Sequence, residues 1–381
     1  MIYFDNAATT MQKPPEVAQA LVEALGSFGG PGRGSHAAAL AADRAVHRAR
    51  VQLAKLFNAP DPTCVAFAPN ATAALNVAIV GLLDPGDHAV AMASAHNSVL
   101  RPLYRAQAAG EAELTIVPIA QDGSLDYDAY ARAFTPRTRL AVISHASNLT
   151  GDVYDLPRLA EIAHEHGAWV VVDAAQTAGS LSIDLARDGA DVVCFTGHKG
   201  LFGPQGTGGL VLNGNVPVRS LVVGGSGVRS FDTCHPDFMP ERLEAGTLNA
   251  HGIAGLSAGI AFIEREGQAA LHAKTLNLTE RFEQGVRAAP GVTVYGGHAS
   301  PERCGIVALN IGDVDSSDIG QLLDRDYGIC VRAGAHCAPL MHKALGTADR
   351  GAVRFSFSPF NTPSEVDVGI AAVAELARDL G

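Results

Sequence analysis

Between residues 64 and 212 the chain alternates short β-branched and aliphatic runs with longer stretches of helical spacing. The runs 64–68, 88–93, 114–117, 139–144, 168–173, 191–196 and 208–212 read as strands, with helical patterns between most of them. Strands separated by helices build βαβ units and hence a mainly parallel sheet with helices on both faces. In such sheets the ligand sits beyond the carboxyl ends of the strands. Local punctuation agrees with this parse. Asp155 stands before Leu156-Pro157 as a helix cap, Gly167 stops that helix, and Thr362-Pro363-Ser364-Glu365 reads as a capping box opening a final helix to about Leu380. After about residue 255 an amphipathic helix and strands near 292–295 and 304–311 point to a smaller α+β unit.

Chemistry is concentrated where these predicted strands end. The apolar run 191–196 leads into Gly197-His198-Lys199 and a glycine-laden loop to Gly209. The chain has five lysines, and Lys13, Lys55, Lys274 and Lys343 sit among polar or helix-like neighbours, where an ammonium is expected to reach water. Lys199 is placed differently: an amine at the end of a buried strand loses its proton by desolvation and becomes a nucleophile toward a carbonyl. The run 168–173 ends in Asp173. Pyridoxal phosphate needs both groups, a lysine for its aldehyde and an acid that keeps its ring nitrogen protonated.

Composition narrows the choice of partners. With 28 basic and 39 acidic residues the net charge is −11, which argues against nucleic acid or an anionic membrane as the main partner. The longest near-apolar stretch, 73–83, is too short to span a bilayer, so the chain is expected in the cytoplasm. Its length suits a large domain with a smaller one. The cysteines Cys64, Cys194, Cys234, Cys304, Cys330 and Cys337 show no paired spacing, and no HExxH occurs, so neither a disulfide framework nor a metal site is expected. Gly32-Arg33-Gly34-Ser35-His36-Ala37 fits a relaxed dinucleotide fingerprint but follows no predicted strand, and reads better as a substrate-side loop.

The spacing of Asp173, Gln176, Thr196, His198 and Lys199 resembles the class V aminotransferase family of fold-type I enzymes, and within it the cysteine desulfurases. The resemblance extends over nearly the whole chain through Tyr3-Phe4-Asp5-Asn6-Ala7-Ala8-Thr9-Thr10, Glu244-Ala245-Gly246-Thr247, Arg332 to Pro339 with Ala335-His336-Cys337-Ala338-Pro339, and Gly351 to Ser356. It implies a fold-type I transferase with a large cofactor domain over 13–255 and a small domain formed by 1–12 and 256–381.

The resemblance also implies roles for individual residues. Ala71, Thr72, Thr196 and His198 bind the phosphate of pyridoxal 5'-phosphate, and Thr247 reaches the phosphate of the neighbouring subunit in a homodimer. His96 stacks on the cofactor ring and moves protons, Gln176 bonds to the ring hydroxyl, and Asn148 faces the substrate side. Arg354 holds the substrate carboxylate, with Arg33 and Arg332 nearby.

Cys337 separates the reactions. Cys64, Cys194, Cys304 and Cys330 read as buried small thiols, whereas Cys337 lies in a loop of small residues that reads as exposed and mobile, with Arg332 and His336 beside it to favour the thiolate. The implied activity is conversion of L-cysteine to alanine, with a persulfide formed on Cys337 and passed to an acceptor protein. The alternatives are other reactions of the family (selenocysteine lyase, cysteine-type lyase, epimerase, aminotransferase) and, more remotely, a non-catalytic scaffold with the same fold.

Overall fold

A computed structural model describes residues 1–32, 34–297 and 302–380. Its largest sheet has seven strands in the order Val65–Ala68, Gly208–Leu212, Val192–Thr196, Trp169–Asp173, Thr138–Ser144, Asp87–Met92 and Ala112–Val117. Only Gly208–Leu212 runs against its neighbours; the other pairings are parallel. This α/β sheet explains why its strands read as unbroken apolar runs. Val170 and Val172 pack into one core cluster while Val171 packs into the cluster on the opposite face, and Val193 and Phe195 alternate in the same way with Val192 and Cys194. A strand covered on both faces has no polar side to display.

Three neighbouring parallel strands end at Ser144, Asp173 and Thr196, with Asp173 in register with Ser144 on one side and Cys194 on the other. Immediately beyond Thr196 the chain must reverse to form the antiparallel strand Gly208–Leu212. Glycine is required there by space. A Cβ on Gly197 would lie 2.1 Å from Thr207 Oγ1, and one on Gly208 would lie 2.8 Å from the Asn70 Cα. The turn that results holds Lys199 above the strand ends.

A second, four-stranded antiparallel sheet orders Arg332–Gly334, Ala352–Ser356, Ile306–Ile311 and Val292–Tyr295. Beside it the chain's first residues form a separate two-stranded parallel sheet, Ile2–Tyr3 with Ile329–Cys330, and Asp5 bridges to Ser356 of the four-stranded sheet. Phe4, Phe282, Phe355 and Phe357 form the centre of its core, and all four are buried. Deleting a ring of this kind costs about 3–5 kcal/mol. The helix Pro363–Leu380 closes the cluster through Val366, Val373 and Leu376.

Gly32 and residues 34–36 lie between the helices Pro15–Ser27 and Ala37–Leu56, so a helix precedes them, and His36 caps the second helix. Arg33 lies outside the described residues. Cys64, Cys194 and Cys304 are buried as expected; Cys330 departs from that reading, being half-exposed with its thiol toward Asp324.

Candidate active site

A cavity of about 520 Å³ opens beyond the strand ends. The cofactor-side residues Ala71, Thr72, His96, Asp173, Gln176, Thr196, His198 and Lys199 line it. Asn148, Arg332, Cys337 and Arg354, singled out for the substrate side, line the same cavity. Residues separated by up to 283 positions along the chain, Ala71 and Arg354, thus meet in one space. Thr247 does not join them.

Lys199 is held from behind by the N-terminal segment. The His198 carbonyl accepts from the Thr9 hydroxyl at 3.2 Å, from the Thr10 hydroxyl at 3.1 Å and from Lys13 Nζ at 3.3 Å. Lys13 is therefore not the solvated lysine its sequence context suggests. Its ammonium also donates to the Thr10 carbonyl and hydroxyl, and burial pulls its pKa down to about 8. Lys199 falls to about 8 as well, first through burial and then through the Arg354 charge, with Asp173 opposing. Both shifts favour the neutral amine. In the cofactor-free protein, Lys199 is expected to acetylate with an apparent pKa near 8 rather than 10.5, which at pH 7 is a reactivity gain of roughly two orders of magnitude. Peptide-mapped competitive labelling with acetic anhydride measures this, and a titration near 10.5 would contradict it.

The donor set fits pyridoxal phosphate. The Asn70 side chain caps the helix Ala71–Leu82 by accepting from the Ala73 N–H at 2.9 Å, which leaves the amides of Ala71 and Thr72 without intrahelical acceptors. Thr196 Oγ1 and His198 Nδ1 are buried without a partner beside this helix start. Amides at a helix N-terminus together with an orphaned hydroxyl and imidazole nitrogen suit a phosphate. His198 stays neutral, its pKa lowered to about 4 by burial and by the neighbouring Lys199 and Lys13 charges.

His96 has two duties. Its Nδ1 caps the helix Asn97–Ala108 by accepting from the Ser98 N–H at 3.0 Å, which places the proton of the neutral ring on Nε2. Burial lowers its pKa, with Asp173 opposing. Its Nδ1 also meets Ser98 Oγ at 2.8 Å, and Ser98 Oγ meets Thr72 Oγ1 at 2.7 Å, tying the two helix starts together. Asp173 accepts from the Ala175 N–H at 3.0 Å, and Gln176 donates to the Ala7 carbonyl at 3.2 Å.

Asp5 is the residue that sequence reasoning left without a role. It accepts from Arg354 Nη2 at 3.1 Å and lies 3.6 Å from Arg332 Nη1, so it balances both cations at the cavity wall. Arg354 also donates from Nη1 to the Asn148 carbonyl at 2.8 Å, while its Nε is buried without a partner. Burial lowers the Arg354 pKa and Asp5 pulls it back. The only advance signal for Asp5 was its place in the opening octapeptide.

Cys337 is exposed, as expected, but its loop is not the loose segment the sequence suggested. It spans four residues between the strand Arg332–Gly334 and the helix Pro339–Leu345. The Ala338 N–H donates to the Ala335 carbonyl at 2.9 Å, and His336 and Cys337 between them have φ of 50° and 55°. Two positive φ values inside an i to i+3 turn define a mirror-image turn of the kind glycine and asparagine favour. Each non-glycine residue in this conformation costs roughly 1–2 kcal/mol. The Asn148 amide donates to the His336 carbonyl at 2.7 Å, and the Asn97 N–H donates to the Cys337 carbonyl at 2.8 Å; these contacts hold the turn. His336 corrects a second expectation. Burial, helped by Arg354, lowers its pKa to about 3, so it brings no positive charge toward the thiol near neutral pH.

Thr247 lines a separate cavity of about 430 Å³ with Arg50, Glu244 and Gly246. Glu244 anchors this segment to the large sheet. It forms a largely buried ion pair with Arg50 at 2.6 Å and accepts from the Phe67 N–H at 2.7 Å, and Arg50 also donates to the Val65 carbonyl. Breaking such a pair by removing one partner costs about 3–5 kcal/mol. Among the described residues no group of three or more histidine, cysteine or acidic side chains is arranged to hold a metal ion.

Fold and site together define an α/β enzyme of the fold-type I architecture. The chain belongs to the class-V aminotransferase family, a pyridoxal-phosphate-dependent family whose profile matches residues 2–368. A probable cysteine desulfurase of Methanothermobacter thermautotrophicus is 34% identical over 99% of this chain and 94% of its own length. Among solved structures, an apo cysteine desulfurase of Thermococcus onnurineus is 31% identical, covers 100% of this chain and 95% of its own, and superposes with a TM-score of 0.90. A cysteine desulfurase of Escherichia coli in an S-sulfonic acid form is 31% identical over 99% of this chain and 94% of its own, with a TM-score of 0.86.

Proposed function

We propose that this chain is a pyridoxal-phosphate-dependent cysteine desulfurase that converts L-cysteine to L-alanine and takes the sulfur as a persulfide on Cys337. The observation that carries the proposal is that an exposed cysteine and the lysine at the strand end line one cavity. An epimerase or aminotransferase has no use for a thiol there. The large domain corresponds to 13–255 and the small one to 1–12 with 256–381, so that Lys199 comes from the first and Cys337 from the second.

Lys199 would hold the cofactor aldehyde, Asp173 its ring nitrogen and Gln176 its ring hydroxyl. Ala71, Thr72, Thr196 and His198 would hold the phosphate. When bound, the cofactor supplies an electron sink for charge developing at the substrate Cα. Arg354 grips the substrate carboxylate, with Asn148, Arg332 and Arg33 completing the substrate side. Lys199, its pKa lowered to about 8 by burial, takes the proton from the substrate Cα as a neutral amine. The Cys337 thiolate attacks the substrate sulfur, so that a sulfur–sulfur bond forms as the carbon–sulfur bond breaks. His96, with its proton on Nε2, serves as donor during that cleavage. Incubation of the purified protein with cysteine and a thiol reductant, which releases the persulfide sulfur as sulfide, and with selenocysteine and the same reductant in parallel, should yield alanine with sulfide or selenide. No alanine from cysteine would remove the proposal.

Two features support a homodimer with shared sites. Thr247 stands away from its own chain's cofactor cavity, and Leu221, Val222, Val223, Phe231 and Phe238 are exposed along the stretch leading to it. Lys199→Ala and Thr247→Glu, each inactive alone, should recover part of the activity when mixed as heterodimers. A fully active monomer in sedimentation would refute sharing. No helix among the described residues is long and apolar enough to cross a membrane. The cytoplasm is the proposed location, and the proposed partners are cysteine and a sulfur-acceptor protein, without nucleic acid.

A further inference from the structure

Behind the Cys337 turn lies a chain of side chains that no step of the reaction uses. His336 Nε2 meets the Arg332 carbonyl at 3.1 Å, His336 Nδ1 meets His342 Nε2 at 3.4 Å, and His342 Nδ1 meets Thr347 Oγ1 at 2.7 Å. All three side chains belong to buried residues. The imidazole planes lie within 9° of each other with centroids 5.6 Å apart. That separation exceeds the distance between the facing nitrogens by nearly two ring radii. Both nitrogens therefore lie on the line joining the rings, and the rings sit edge to edge in one plane. This is the geometry of an imidazole–imidazole hydrogen bond and not of a stack.

The chain admits one direction. A carbonyl only accepts, so the His336 proton is on Nε2. Its Nδ1 is then an acceptor that needs the His342 Nε2–H, and His342 Nδ1 in turn accepts from the Thr347 hydroxyl. The His336 ring is thus fixed at both nitrogens. One end closes the loop onto Arg332, and the other is braced by the helix Pro339–Leu345, which carries His342.

We propose that His342 is a positioning residue for sulfur transfer: by donating to His336 it locks the mirror-image turn that presents the Cys337 thiol to the cavity. Leucine in its place leaves His336 Nδ1 buried without a donor and the ring free to turn. Glutamine restores a donor where the imidazole Nε2 stood. The proposal rests on reading Cys337 as the sulfur-accepting thiol.

The test uses holoenzyme carrying His342→Leu, His342→Gln or Thr347→Val. Three quantities are read: kcat and KM for alanine formation, deuterium exchange at the substrate Cα, and the rate of Cys337 alkylation by iodoacetamide, followed by peptide mapping. His342→Leu is expected to lower kcat at least about tenfold with little change in KM, since misplacement of a reacting group by an ångström costs on this scale. Its alkylation rate should change as well, whereas Cα exchange, which needs Lys199 and not the thiol, stays within about twofold of wild type. His342→Gln should recover most of the loss. Unchanged kcat and alkylation in His342→Leu would overturn the proposal, as would a glutamine variant as impaired as the leucine one. If His342→Leu does not fold, Thr347→Val decides: without the hydroxyl, His342 Nδ1 is a buried acceptor left unpaired and the ring that braces His336 loses its anchor, so wild-type rates there would equally overturn the proposal. A wild-type enzyme that forms no alanine refutes the desulfurase reading instead, and alkylation still reports on the turn.

Discussion

Cys337→Ala is expected to lower alanine and sulfide production from cysteine by about three orders of magnitude or more, a loss on the order of 4 kcal/mol in transition-state stabilisation. The variant should still bind the cofactor with its native absorbance and still change spectrum when cysteine is added. The split follows from the site's construction. Lys199, Asp173 and the helix start at Ala71 lie at the ends of the large sheet, while Cys337 sits on a turn whose carbonyls are pinned by Asn97 and Asn148. Removing the thiol leaves every cofactor-side contact in place. Selenocysteine offers a useful control: selenium leaves more readily than sulfur, so residual activity on it is compatible with the account. Wild-type rates on cysteine would move the reading to a lyase in which the thiol is incidental.

Lys199→Ala is expected to cost at least about 10⁴ in kcat, because in the proposed mechanism one side chain both holds the cofactor aldehyde and takes the Cα proton. Borohydride should fix cofactor covalently to the wild-type peptide around Lys199 and to no peptide of the variant. Lys13 is the natural suspect for a rescue, since burial has pulled it to about 8 too. Its ammonium is committed to Thr10 and to the His198 carbonyl, and it braces the turn from behind. Fixation of cofactor at Lys13 in the variant would contradict this assignment of the two lysines.

The sheet was legible in the sequence because strands buried on both faces leave uninterrupted apolar runs. Their carboxyl ends announced Asp173 and Lys199 for the same reason, a charged residue at the end of such a run being conspicuous. The short pairings were not legible. Ile2–Tyr3 and Arg332–Gly334 are too brief to carry a period and exist only through partners far along the chain.

The same distance hid the electrostatics. Asp5 reaches Arg354 across 349 positions, and Lys13 reaches the His198 carbonyl across 185. Local context therefore assigned Lys13 to solvent and left Asp5 without a function. Small residues around Cys337 suggested looseness, yet four residues bounded by a strand and a helix, with both central carbonyls bonded, form a fixed turn. His336 beside the thiol suggested a cation, and burial makes it neutral.

The central claim is that sulfur passes from cysteine to Cys337 while the carbon skeleton leaves as alanine. Holoenzyme mixed with a single equivalent of cysteine, quenched before any acceptor thiol is added, tests it directly by alanine quantitation and peptide mass. The account predicts one alanine per active site and the mass of one added sulfur atom on the Cys337 peptide, with Cys234, the other exposed cysteine, unmodified. Alanine formed while the Cys337 peptide keeps its original mass would contradict it.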